Sequence, residues 1–222
     1  MSKVHVLQPQ AMSTRQRLIR EAMRMFAEEG LSAVALRRVV KAAGASNASA
    51  LHYHFGGRDG LVAGIVDTLG AWLQPRWSQG LTALELMDDA SPRAVLHALY
   101  DPVLGLQQAE GYGTAAIRFA ARLSWDFGPS GQDLSAALHR EPLGRASALL
   151  APTLSGLPVE TRQLRLLMTM TNVYHGLADR SYLWRSPFGA SPLAESHQAD
   201  RLQEQFFDYL ESGLIGPKIS TR

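Results

Sequence analysis

The side chains best suited to recognition chemistry are concentrated in residues 46–55. They bring together an amide, hydroxyl groups, imidazoles and a phenol, carried by Asn47, Ser49, His52, Tyr53 and His54. Such groups both donate and accept hydrogen bonds, which suits them to base edges and phosphate oxygens. The segment is therefore a candidate nucleic-acid contact.

The apolar residues around this segment indicate the elements that must position it. Residues 36–55 predict a short helix that ends at Gly44, a sharp turn, and a second short helix with Leu51 and Phe55 against a core. Ser46 is a candidate cap for the second helix, whose first backbone amides would form a phosphate site. This layout is that of a helix-turn-helix.

Catalysis and metal binding have little support in the sequence. There is no cysteine, which removes thiol nucleophiles, thiolate ligands and disulfides. His52 and His54 are two residues apart and would point to different faces of a helix. The sequence also lacks HExxH, GxSxG and a glycine-rich phosphate loop. We therefore expect no enzyme, no catalytic residue, no metal site and no cofactor.

The net charge of +2 is unevenly distributed along the 222 residues. Residues 1–60 contain nine basic and four acidic side chains, a surplus of five positive charges, whereas the remainder contains thirteen basic and sixteen acidic ones. A basic front part on a mildly acidic body is expected when only one part meets a polyanion. Arg15 lies on the side expected to face DNA, whereas Arg20 and Arg24 are expected to solvate a helix face.

Helical periodicity continues through the rest of the chain, so an all-α fold is predicted. The first helix is expected from Ser13 or Thr14 to Gly30, and a fourth over residues 59–77. Further helices are expected near residues 92–107, 112–126, 132–151, 158–185 and 193–214, with kinks at Pro102 and Pro142. No apolar run is long enough to suggest a membrane span, and no signal peptide is recognised.

Residues 15–62 resemble the DNA-binding domain of TetR-type transcriptional regulators. The matching segments are Arg17-Leu18-Ile19, Ala22, Phe26-Ala27-Glu28-Glu29-Gly30, Val39, Ala42-Ala43-Gly44, Tyr53-His54-Phe55 and Gly57-Arg58-Asp59-Gly60-Leu61. One departure is Val34-Ala35, which stands where the family has a hydroxyl residue that caps the second helix.

The resemblance implies DNA contacts from the first four helices. The set is Thr14, Arg15, Arg37, Ser46, Asn47, Ala48, Ser49, His52, Tyr53, His54 and Arg58. Residues 47–49 would read bases in the major groove, and Tyr53 would face the DNA. His52, His54 and Arg58 would contact phosphates, and Thr14 and Arg37 lie where the first two helices approach the backbone.

The resemblance also implies a larger carboxyl-terminal helical domain that binds a ligand and forms a homodimer. Pocket candidates, chosen from helix faces, are Phe119, Leu123, Trp125, Met168 and His175. Dimer-interface candidates are Leu164, Leu167, Thr171, Leu177, Leu202, Phe206, Tyr209 and Leu210. Arg118 and Arg122 could anchor an anionic ligand, although Arg122 could instead pair with Asp126, four residues later.

The sequence thus predicts three regions. They are a disordered amino-terminal arm (residues 1–12), a helix-turn-helix DNA-binding domain (13–60) and a helical ligand-binding and dimerisation domain (61–216). The function implied is a cytoplasmic homodimeric repressor of a double-stranded operator, released by an unknown small molecule. The alternative is a helical ligand-binding or scaffold protein that has no specific DNA binding.

Overall fold

The structure is a computed structural model that describes residues 12–45, 49–87, 89–109, 111 and 113–216. These residues form α-helices, short 3₁₀ turns and no strand, in agreement with the predicted all-α fold. The α-helices are α1 (Thr14–Glu29), α2 (Leu36–Ala42), α3 (Ser49–Phe55), α4 (Arg58–Glu85), α5 (Pro92–Gln108), α6 (Gly113–Asp126), α7 (Gly128–Leu149), α8 (Val159–Ala178) and α9 (Ala199–Ile215). The predicted disordered arm lies almost wholly outside the described residues.

Helix α1 begins where its sequence predicts. The Ser13 hydroxyl accepts a hydrogen bond from the backbone N–H of Gln16, whose side chain in turn accepts from the Ser13 backbone N–H. This reciprocal pair satisfies two amide groups that the first turn of a helix leaves without partners. Helix α1 ends at Gly30, which has a φ of 97°, a backbone conformation that favours glycine.

Four predicted helix boundaries are wrong. Helix α4 continues past residue 77 to Glu85, because Leu81 and Leu84 extend its buried stripe. Helix α7 begins at Gly128, and Pro129 occupies its first turn, where no hydrogen bond from a proline nitrogen is needed.

Helix α8 stops at Ala178 rather than at residue 185. The Asp179 carboxylate accepts a hydrogen bond of 2.8 Å from the backbone N–H of Ser181, so a local turn replaces the next helical bond. Helix α9 starts at Ala199, after two 3₁₀ turns, Pro192–Ala194 and Ser196–Gln198. The helices α5 and α7 run through Pro102 and Pro142, and α4 runs through Pro75.

One continuous core joins the first helices to the rest of the chain. The rings of Phe26 in α1 and Phe119 in α6 are stacked with their centroids 6.5 Å apart, and both side chains are fully buried. In α4, the buried Trp77 indole donates a 2.7 Å hydrogen bond to the Leu99 carbonyl of α5. Helix α4 also contacts α7, where Gln74 donates to the Leu138 carbonyl. Since α1 and α4 both pack on the larger helical body, movements of that body can reach the amino-terminal helices.

Candidate nucleic-acid interface

Helix α3 has one buried and one solvent-facing side. Leu51 is only 4% exposed and packs into the core, whereas Tyr53 is 86% exposed. Ser49 and His52 are also exposed, and His54 is half-buried. The helix therefore presents hydroxyl, imidazole and phenol groups to solvent. The predicted contacts Ser46, Asn47 and Ala48 lie outside the described residues.

Arg17 holds the turn between α2 and α3 against the start of α1. Its Nε donates a 2.9 Å hydrogen bond to the Ala43 carbonyl, and its two terminal nitrogens donate to the Met12 carbonyl and the Thr14 hydroxyl. Thr14, which was predicted to approach DNA, is thus bound to Arg17 at 3.1 Å. In the sequence, Arg17 stands out only as part of a motif. Its contact with Ala43 spans 26 residues, which local periodicity does not reveal.

These elements form one shallow groove. It is lined by Thr14, Arg17, Gly44, Ala45, Ser49, Ala50, Tyr53 and His54, and thus by both α1 and α3. The groove brings side chains of α3 beside the amino-terminal end of α1. That arrangement lets one helix contact bases while the other approaches a phosphate backbone.

The positive charges of this region fall into two groups. Arg20, Arg24 and Arg38 form ion pairs with acidic side chains of α1. A guanidinium nitrogen of Arg38 lies 2.5 Å from a carboxylate oxygen of Glu29. The hydrogen bond from Arg38 lowers the pKa of Glu29. Arg20 and Arg24 thus lie on a solvated helix face.

Arg15, Arg37 and Lys41 are exposed and form no ion pair within the described parts of the chain. The Arg15 guanidinium lies 5.3 Å from the centre of the Phe55 ring, a cation–π contact between α1 and α3. Unpaired surface cations are the groups that phosphate neutralisation requires.

Arg58 is bound by the protein's own backbone. Its guanidinium is half-buried and donates to the Leu31 carbonyl and, at 2.6 Å, to the Val34 carbonyl. It also lies over the Phe26 ring. Because its terminal nitrogens bind the protein's own backbone, Arg58 holds the connection between α1 and α2, and its predicted contact with a phosphate stays a prediction.

The contacts of Arg58 lie near the amino-terminal end of α2, which lacks a side-chain cap. Helix α2 has Ala35 at its cap position and no side-chain hydrogen bond there, as Val34-Ala35 in the sequence predicts. Arg58 instead donates to the carbonyls of Leu31 and Val34, which lie in the connection that precedes α2. We infer that Arg58 orients α2 and thereby supports the groove without lining it.

The predicted pocket residues separate into three environments. Phe119 and Leu123 are buried in the core, and Met168 is exposed on α8. Trp125 and His175 line two adjoining cavities, of about 520 and 320 Å³, beside α6 and α8. Phe119, Leu123 and Met168 do not line these two cavities, since an apolar helix face can equally meet a core or solvent, and their place in a pocket stays a prediction.

Arg118 and Arg122 line the larger cavity together with Glu28 and Asp179. Arg122 forms an ion pair with Asp126 at 3.1 Å, the simpler of its two predicted roles. Arg118 donates to the Ala178 carbonyl at 2.8 Å.

The residues predicted to form the dimer interface differ in their exposure. Leu164, Leu167, Thr171 and Tyr209 are exposed, whereas Leu177 and Leu210 belong to the core of the single chain. Leu202 and Phe206 are half-buried. Helices α8 and α9 thus use Leu177 and Leu210 to pack on their own chain, and the predicted interface stays a prediction. The exposed apolar residues of α8 include Met168.

Two findings on the described residues concern metal binding and membrane insertion. They contain no group of three histidine or acidic side chains placed to hold a metal ion. Within the same residues, no helix is both long and apolar enough to cross a membrane.

Comparison with known proteins agrees with this geometry. Residues 18–65 match the family model for "Bacterial regulatory proteins, tetR family". The match covers most of α1 and all of α2 and α3, and extends into α4. The comparison with curated proteins found no match.

Solved structures share the fold over almost the whole chain. The TetR family transcriptional regulator PfmR from Thermus thermophilus is 18% identical, with a TM-score of 0.59 over 95% of this chain and 100% of that one. The ketosteroid transcriptional regulator KstR2 of Mycobacterium tuberculosis is 20% identical, with a TM-score of 0.58 over 92% and 96%. A transcriptional regulator from Rhodococcus sp. Rha1 is 22% identical, with a TM-score of 0.56 over 92% and 100%.

Residues 18–65 are therefore a helix-turn-helix of the tetR family, and the chain as a whole shares its fold with these transcriptional regulators.

Proposed function

We propose that this chain is a homodimeric repressor that binds a near-palindromic DNA operator and is released from it by a small molecule. The observation that carries the proposal is the two-sided helix α3, with Leu51 buried, Tyr53 exposed and a groove shared with α1. Repression and ligand release are typical of TetR-type regulators.

Specific binding by such a unit calls for two copies. One short recognition helix reaches only a few base pairs, so two-fold pairing places two of them about 34–36 Å apart in successive major grooves. The exposed apolar residues of α8, Leu164, Leu167 and Met168, together with Tyr209 of α9, provide a surface for pairing. Such a surface is more apolar than a monomer needs.

Release by a ligand requires that two arrangements of the dimer bind it differently. Helix α4 begins beside α3 and packs along α5 and α7, so a shift of that body changes the separation of the recognition helices. The ligand weakens operator binding by its difference in affinity for the two arrangements. The proposed site of action is the cytoplasm, which is usual for such regulators.

The test is salt-titrated binding of the full chain to a fragment of its own promoter, against a shuffled fragment of equal length. We expect specific retention and a steep decrease in affinity with salt, because bound cations release counterions from DNA. Equal affinity for both fragments at every salt concentration would contradict the proposal. That result would favour a helical ligand-binding or scaffold protein.

A further inference from the structure

A cavity of about 320 Å³ lies between α6, α7 and α8. Its volume is near the lower end of the range of about 300–1,000 Å³ that is typical of small-molecule sites. A compound of one or two rings would fill it. The chemistry of its walls restricts the compound further.

The inner wall holds two buried polar side chains, His139 and Tyr174. His139 Nδ1 lies 2.8 Å from the Ser135 carbonyl, which only accepts, so this nitrogen must carry the proton. His139 Nε2 therefore accepts the hydrogen bond from the Tyr174 hydroxyl at 2.9 Å. With its proton used in this way, the Tyr174 oxygen can still accept a hydrogen bond from a ligand.

Among the described residues, the lining of this cavity includes no Asp, Glu, Lys or Arg side chain. Burial lowers the pKa of His139 to about 4, which keeps its imidazole neutral at neutral pH. Ser124, Gln132 and the Ser135 hydroxyl add neutral hydrogen-bonding groups. A charged ligand would lose its hydration without gaining a counter-ion, which is strongly unfavourable.

The mouth of the cavity offers flat aromatic surfaces. Trp125 is 74% exposed, and its ring meets His175 edge to face, with centroids 6.2 Å apart and an angle of 89°. Met170 adds a polarisable side chain to the lining. Aromatic rings and a thioether both make favourable contacts with an aromatic ligand.

We infer that this cavity binds an uncharged, planar aromatic compound of one or two rings that donates a hydrogen bond to the hydroxyl oxygen of Tyr174. The inference rests on the proposed function, which it deepens by giving the chemical class of the effector. Trp125 and His175 would contact the ring, and Tyr174 would fix its polar end.

The adjoining cavity makes an anionic ligand the natural competitor. It shares Trp125 and His175, and it adds Arg118 and Arg122. Its acidic residues Glu28 and Asp179 oppose these cations, however, and Arg122 is already paired with Asp126. The smaller cavity has no such conflict, and the two sites predict opposite preferences for charge.

Calorimetric titration of the full chain without DNA distinguishes them. The probes are 4-hydroxybenzamide, 5-hydroxyindole and 2-naphthol, with 4-hydroxybenzoate as the charged counterpart of the first and 4-methoxybenzamide as its counterpart without a hydroxyl donor. We expect 4-hydroxybenzamide to bind at least about tenfold more tightly than either counterpart. The difference corresponds to one lost hydrogen bond for 4-methoxybenzamide and to one uncompensated charge for 4-hydroxybenzoate. Tighter binding of the benzoate would overturn the inference, as would the absence of binding by all three neutral probes.

Two variants locate the site. Trp125→Ala removes an exposed side chain and should weaken binding of the neutral probes about tenfold, whereas Trp184→Ala, at another exposed tryptophan, should leave it unchanged. Tyr174→Phe should abolish the preference for 4-hydroxybenzamide over 4-methoxybenzamide. Unchanged binding in Trp125→Ala would overturn the assignment. Operator binding is measured separately, so a protein that binds the probes without binding its promoter would refute the proposed function alone.

Discussion

The Ser32 hydroxyl donates a 2.9 Å hydrogen bond to the backbone carbonyl of Asp126, across 94 residues of sequence. Ser32 belongs to the connection between α1 and α2, and Asp126 is the last residue of α6. Gly30 lies at the same contact, because a methyl group added there would come within 3.2 Å of the Asp126 carboxylate. The end of α6 is thus attached directly to the segment that leads into the helix-turn-helix.

Replacing Ser32 by alanine should loosen that attachment. Loss of one such hydrogen bond costs about 1 kcal/mol, which predicts faster amide exchange over residues 31–45. Hydrogen-exchange mass spectrometry measures this, with Ser78→Ala, at an exposed serine of α4, as the matched control. Equal exchange over this segment in the two variants would mean that the Ser32 bond contributes nothing to it.

Arg37 and Arg58 should respond differently to alanine substitution. Arg37 is exposed, so Arg37→Ala should reduce the dependence of log affinity on log salt by about 0.9, the value for one phosphate contact. Arg58→Ala should instead lower the free energy of unfolding by about 2 kcal/mol, because its charged hydrogen bonds to two carbonyls are lost. Urea unfolding and salt-titrated operator binding are measured on both variants. A reduced salt slope in Arg58→Ala with no loss of stability would contradict this and favour the predicted phosphate contact.

A charge on the exposed side of α8 should prevent pairing of two chains. Leu167→Asp places a carboxylate on a surface that the dimer would bury, at a cost of several kcal/mol. Sedimentation equilibrium should show a dimer for the original chain and a monomer for the variant. Leu86→Asp, at a more exposed leucine between α4 and α5, serves as the control and should remain dimeric. A dimeric Leu167→Asp chain would move the interface elsewhere.

His139 should make the protein less stable in acid. Its pKa is lowered from about 6.5 in the unfolded chain to about 4 in the folded one, because burial disfavours the imidazolium. The unfolded state binds the proton first as the pH decreases. The contribution of neutral His139 to the free energy of unfolding is therefore fully present above pH 6.5 and is lost between about 6.5 and 4. The shift corresponds to ~3 kcal/mol.

The measurement is urea unfolding of the original chain and of His139→Gln at about pH 7.5 and about pH 5, on either side of the ordinary histidine pKa. The glutamine variant should lose less stability between the two values, whereas His197→Gln, at an exposed histidine, should behave as the original chain. The same acid sensitivity in His139→Gln would assign the effect to other groups.

The helices were predictable because each one buries a stripe of apolar residues at a spacing near 3.6. The helix-turn-helix was recognisable because its turn, its small residues and its apolar positions are all local in sequence. The orientation of α3, with Leu51 inward and Tyr53 outward, follows from the same local pattern.

Partners that are distant in sequence were not predictable. Arg58 binds carbonyls 27 and 24 residues away, and nothing near it in the sequence distinguishes this arrangement from a contact with phosphate. Periodicity likewise identifies the apolar face of α6 without saying what that face meets. Phe119 consequently looked suited to a cavity, although it packs against Phe26 in the core.

The stacking of Phe26 on Phe119 has a consequence for engineering regulators by domain exchange. In a chimera that joins residues 61–216 to the helix-turn-helix domain of another regulator, an unrelated first helix would pack on Phe119. The mismatch would leave a void or a steric clash in the core. The transplanted helix would need an aromatic side chain at the position of Phe26, so the reading unit of this protein is not freely interchangeable.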